Sequence, residues 1–152
     1  MSASEGRMKE LQQRLDAIRI RHFTANELTY HRRWNMHQTP PDEILYRIMP
    51  TVKLADSIRH GLGAPIRVAS GYRTEDYNEL VGGSPMSEHV NFRAMDIQSE
   101  DPDRLEEMRA IAIAVVDHAR RMGRNVALIH YDTFIHIDVG SKRRRNLDLD
   151  NR

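Results

Sequence analysis

The stretch Ser87-Glu-His-Val-Asn-Phe-Arg-Ala-Met-Asp96 sets an imidazole, His89, and a carboxylate, Asp96, seven positions apart. His89 follows Gly82, Gly83, Ser84 and Pro85, a turn-like segment, whereas Asp96 falls in the alternating run 94–98, which reads as a strand. Forty residues after Asp96, His136 lies in a second strand-like run, 134–139. Two histidines and one aspartate are a usual ligand set for a catalytic zinc, which leaves one coordination position for water. A loop histidine and a satisfied strand histidine are the plainer reading of the same residues, and spacing alone does not choose between them.

Around this stretch the chain reads as helices followed by short strands. Met8, Leu11, Leu15 and Ile18 recur at helical steps and predict an amphipathic helix over 5–19. Thr24 with Glu27 forms a capping-box pattern. Residues 30–40 are polar and aromatic and predict a loop, with His31 and His37 as surface histidines; metal ligation by them is the rarer alternative. A helix opens at Asp42 and runs to about Gly61, with Pro50 as a kink. Residues 65–69 predict a strand, Ser70-Gly71-Tyr72-Arg73 a turn, and Thr74 the N-cap of a short helix to Leu80. Asp101-Pro102 starts the longest helix, ended by Gly123, with Leu105, Met108, Ala112, Val115, Ala119 and Met122 as its buried face. Strands over 126–131 and 134–139 follow, joined by Asp132-Thr133. The expectation is an α+β fold with a small, mostly antiparallel sheet and helices packed around it.

The 152 residues suit a single domain, 1–152, with its core over 22–141, the N-terminal helix before it and a polar tail over 142–152. There is no cysteine, so a transition metal would have to use His and carboxylate ligands. The net charge of +1 hides two basic clusters, Arg19, Arg21, Arg32 and Arg33 near the start and Lys142 to Arg145 near the end. These read as solvated faces rather than as a specific nucleic-acid site. No apolar leader and no run of transmembrane length is present, so the protein is expected in the cytoplasm as synthesised.

Alternation in 134–139 predicts Phe134, His136 and Asp138 on one face and Ile135, Ile137 and Val139 on the core side. Asp96 shares its face with Ala94 and Gln98, opposite Met95 and Ile97. A two-residue hairpin would pair His130 with Ile135 and turn it to the core.

Ser70-Gly71-Tyr72-Arg73, Tyr77-Asn78, Gly82-Gly83, Ser87-x-His89, Ala94-x-Asp96 and Phe134-Ile135-His136-Ile137-Asp138 occur in that order. Together they resemble peptidase family M15, the zinc D-Ala-D-Ala carboxypeptidases and peptidoglycan endopeptidases, whose fold is shared with the hedgehog signalling domain. The resemblance covers roughly residues 22–141. It implies His89, Asp96 and His136 as zinc ligands, Arg73 facing a substrate's terminal carboxylate, and Ser87 as a substrate contact or a shaper of its loop. It implies amide hydrolysis in stem or cross-link peptides of peptidoglycan, by a carboxypeptidase or an endolysin-type endopeptidase. A phage-type enzyme released to the periplasm or cell wall is one setting for it.

The chain departs from the family pattern at two positions. Phe92 stands where a glycine is usual, and Thr133 where many members carry an acidic base. Asp132, one step away, is the expected base; Asp138 is expected in a supporting or structural role, and His130 is a further candidate. A non-catalytic zinc protein of the same fold is the rival reading. A basic nucleic-acid module indifferent to zinc is a third.

Overall fold

Helix α1 (Ala3–Ala17) starts at a full capping box, in which the Ser2 hydroxyl accepts from Glu5 N and the Glu5 carboxylate accepts from Ser2 N. The box moves the start two residues ahead of the expected 5–19. The computed structural model describes residues 2–140, so the tail over 142–152 and its basic cluster lie outside the described residues. Leu11 and Leu15 bury the inner face of α1. Thr24 and Glu27 cap the short α2 (Ala25–Thr29) as the sequence indicates.

Residues 30–40 are not the expected loop. They hold a two-stranded hairpin, β1 (Tyr30–His31) and β2 (Met36–His37), closed by a turn in which Asn35 adopts φ 49°. Asn tolerates that left-handed conformation, and this was the local signal for the hairpin. His31 is fully buried, its ring 4.3 Å from that of Tyr77, so it is a core histidine; His37 is exposed.

Pro50 does not kink a helix. A 3-10 segment, Asp42–Ile48, precedes α3 (Met49–Leu62), and Pro50 stands in the first turn of α3, where its missing N–H costs nothing. Gly63, at φ 67°, ends α3. The longest helix likewise begins with a 3-10 turn, Pro102–Arg104, capped by Asp101, before α5 (Leu105–Arg121). Its buried stripe is Met108, Ala112, Val116 and Ala119; Met122, expected inside, is exposed because it lies past the last helical turn.

Between these helices come β3 (Ile66–Ser70), α4 (Glu75–Leu80) and β4 (Ala94–Ser99), and after α5 the hairpin β5 (Val126–His130) and β6 (Ile135–Val139). The four strands form an antiparallel sheet in the order β3-β4-β6-β5. Met95, Ile97, Ile135, Ile137 and Leu128 alternate onto one face and join the hydrophobic core. Helices α3 and α5 pack against the sheet and each other. The fold is α+β, as the pattern of elements predicts. No helix among the described residues is long and apolar enough to cross a membrane.

Candidate metal centre

The other face of the sheet carries the polar residues. Register places Ser70 opposite Asp96, Asp96 opposite His136, and His136 opposite Ile129, one row running straight across four strands. A bulge between Val68 and Ser70 brings Ser70 into this row; bulges often re-aim a side chain in this way. The face is not open to solvent. All of β6 is buried, because the loop between α4 and β4 folds over it and brings in His89.

Loop geometry fixes the His89 ring. His89 Nδ1 lies 2.7 Å from the carbonyl oxygen of Gly71. A carbonyl can only accept, so Nδ1 carries the proton and Nε2 presents a lone pair. Gly71 is required there: a Cβ would sit 2.4 Å from the Leu28 carbonyl oxygen. His89 Nε2 stands 3.2 Å from Asp96 Oδ1, and His136 Nδ1 is 2.9 Å from the same oxygen. Ligand atoms of His89, Asp96 and His136 all lie within 4.8 Å of one another. His89 Nε2 is buried and has no hydrogen-bond partner, as a lone pair facing a carboxylate oxygen must. A buried, deprotonated imidazole nitrogen converging with a second imidazole and a carboxylate fits a borderline-soft divalent cation such as zinc.

The electrostatics agree. Burial favours protonation of Asp96, but the two imidazoles outweigh it and hold the carboxyl well below the usual carboxylate range. Burial pushes His89 down, so it stays neutral. It acts on His136 in the same sense, but hydrogen bonds to Asp138 and Asp96 outweigh it and push that group up to about 9.

His89, Asp96 and His136 line a cavity of about 310 Å³, shared with Arg73, Ser87, Glu88, Ile129, Tyr131 and Phe134. Arg73 is held by three partners: Nε donates to Ser70 Oγ at 2.9 Å, Nη1 donates to Asn78 Oδ1 at 3.0 Å, and Nη2 is 3.5 Å from Asp96 Oδ2. Burial lowers the guanidinium pKa and Asp96 opposes the shift. Asn78 in turn donates to the Ser84 carbonyl, and Gly83 lies so close that a Cβ would meet Asn78 Oδ1 at 2.1 Å. The Tyr77-Asn78 and Gly82-Gly83 motifs therefore include the scaffold of Arg73. Ser87 Oγ accepts from His89 N at 3.2 Å, which shapes the loop, and Ser87 also lines the cavity.

Phe92 resolves the first departure from the family pattern. Its backbone keeps φ 56°, the left-handed conformation in which glycine is at ease, and its ring is fully buried, edge-on to Tyr72 at 5.8 Å. The aromatic thus fills the core instead of crowding the turn.

Asp132 is not brought to the cluster. The two-residue turn leaves it exposed and outside the cavity lining, while its neighbours Tyr131 and Phe134, their rings stacked at 4.9 Å, line the cavity. His130 pairs with Ile135 and shares its core-side face, as the hairpin predicts; Ile129 is the residue that reaches the cavity. Asp138, fully buried, places Oδ2 2.8 Å from His136 Nε2. Sequence reasoning did not single out Glu88, the one further carboxylate in the cavity lining.

The family model described as Peptidase M15 matches residues 21–138. No curated protein matches the chain. The match spans the strand row, the His89 loop and Arg73, and the chain belongs to peptidase family M15.

Proposed function

We propose that this protein is a zinc-dependent peptidase that hydrolyses D-amino-acid-containing peptides of bacterial peptidoglycan. The observation that carries the reading is the buried convergence of His89 Nε2, His136 Nδ1 and Asp96 in a cavity that also holds Arg73. His89, Asp96 and His136 would hold the metal. When bound, zinc supplies Lewis acidity, polarising an amide carbonyl and acidifying water.

The chain's own groups do the rest. Asp138 and the Gly71 carbonyl fix the two imidazoles in the tautomers that aim lone pairs at one point. Arg73, already braced by Ser70 and Asn78, keeps N–H groups on Nη1 and Nη2 for a substrate carboxylate. Ser87 holds the His89 backbone and borders the same space.

Asp132 is the proposed proton acceptor, a role that requires substrate binding to turn it from its exposed place on the hairpin tip beside cavity-lining Tyr131 into reach of the reacting water. Glu88 is the competing carboxylate. Its Oε1 accepts from Asn91 Nδ2 at 3.0 Å and faces Arg93 Nη1 at 3.6 Å, which ties it to its own loop.

Metal analysis of purified protein, combined with hydrolysis of muropeptides with and without chelator, tests the proposal. Bound zinc and chelator-sensitive cleavage are expected. Zinc without any cleavage of cell-wall peptides would favour a non-catalytic zinc module.

A further inference from the structure

The metal cavity continues past Arg73. Arg73, Asp96 and Phe134 also wall a second groove of about 270 Å³, bounded on its far side by Arg32 and Arg33 in the turn between β1 and β2. That turn is anchored. Arg33 N donates to the Tyr77 hydroxyl at 2.9 Å, and the Trp34 ring meets Tyr77 edge-on at 4.9 Å. Both arginine side chains are exposed, and among the described residues neither has an ion-pair or side-chain hydrogen-bond partner. The one acid in the groove's lining is Asp96, already turned to His89, His136 and Arg73. Two unpaired guanidinium forks on a fixed turn, beside a cavity suited to amide hydrolysis, ask for an anion on the same substrate.

We propose that the Arg32–Arg33 groove is an anion-binding extension of the substrate site, taking free carboxylates of the peptide chain that leads away from the scissile amide. The inference rests on the peptidase reading. The guanidinium fork matches a carboxylate in bidentate fashion. The groove is short and shares Arg73, Asp96 and Phe134 with the metal cavity, and the chain's net charge is only +1, so a peptide suits it better than a nucleic-acid backbone.

The test uses two peptides that keep the same free C-terminus but carry either free or amidated carboxylates on the residues flanking the scissile bond. Wild type is expected to favour the acidic peptide in kcat/KM by about fivefold to tenfold, the worth of two exposed charge contacts. In Arg32→Gln/Arg33→Gln the ratio is expected to fall to near one. Where the peptides are cleaved, equal rates in wild type, or a preference kept by the double variant, overturns the proposal. Trp34, the chain's single tryptophan, gives a readout that needs no hydrolysis. A saturable change in its emission with the acidic peptide, absent in the double variant, supports the groove even if neither peptide is cleaved, in which case the peptidase reading alone fails. No saturable change, a change that survives in the double variant, or tighter binding of a short DNA duplex than of the acidic peptide overturns the carboxylate assignment.

Discussion

Asp138 Oδ2 lies 2.8 Å from His136 Nε2, while Asp96 Oδ1 lies 2.9 Å from His136 Nδ1. One imidazole is thus spanned by two carboxylates, of which only Asp96 also faces His89. The ring cannot rotate without losing both contacts, so Asp138 sets which nitrogen of His136 points at the cluster. Asp138→Asn is expected to weaken zinc binding about tenfold or more, the usual effect of losing such a partner. Competition against a chromophoric chelator measures it, with circular dichroism to check the fold. Unchanged affinity would leave Asp138 with a packing role only.

The ligands themselves should be less forgiving. Purified protein is expected to hold about one zinc per chain, and His89→Ala or Asp96→Ala to lose most of it, because three ligands leave little redundancy. Elemental analysis reads this directly, and full retention in both variants would remove the proposed site.

Proton transfer separates two carboxylates. If substrate binding brings Asp132 in as the base, Asp132→Asn is expected to lower turnover of muropeptides by about 10²-fold, the usual worth of a general base, with zinc still bound. Glu88→Gln should cost much less, since its carboxylate is engaged by Asn91 and Arg93. A wild-type rate in Asp132→Asn together with a collapsed rate in Glu88→Gln would transfer the role to Glu88.

Arg73→Lys should lower kcat/KM on substrates with a free terminal carboxylate far more than it lowers zinc affinity. A single ammonium cannot reach Ser70, Asn78 and a substrate at once. Comparing a free-acid substrate with its C-terminal amide isolates the effect, and equal losses on both would make Arg73 a brace alone.

Phe92→Gly tests a balance of strain against packing. A left-handed φ of 56° costs a non-glycine residue about 1–2 kcal/mol, whereas emptying a buried aromatic site costs about 3–5 kcal/mol. The variant should therefore be less stable by about 2–3 kcal/mol, read as a lower denaturant midpoint at unchanged slope. A variant as stable as wild type would mean that the ring stabilises the fold no more than its backbone strain costs.

Much of this molecule is written in local pattern. Thr24, Thr74 and Asp101 each mark a helical start, because a cap needs only a side-chain oxygen and the two or three residues after it. Alternation in β4 and β6 separated Asp96 and His136 from the apolar residues beside them, since neighbouring side chains of a strand must point to opposite faces. Where short-range rules compete, the sequence was less legible. The β1–β2 hairpin rests on a turn through Asn35 and a few aromatic contacts rather than on alternation, and Pro50 fits a helix start as readily as a kink.

What the chain alone determined, then, is the α+β order of elements and which residue types could form a metal site. Tertiary structure decided the rest. Asp96 meets His136 only through the antiparallel register of β4 and β6, forty residues apart in the chain. That register depends on how the apolar faces of the strands join the core beneath them. His89 joins the pair because Gly71 lets its carbonyl come within reach, and Phe92 keeps a glycine-like backbone because the core has room for its ring. Asp132 is one residue from cavity-lining Tyr131 yet lies outside the lining, because a tight turn, not proximity in sequence, sets where its side chain goes. Periodicity is carried by neighbouring residues; register, loop placement and turn direction are settled by packing between segments far apart in the chain.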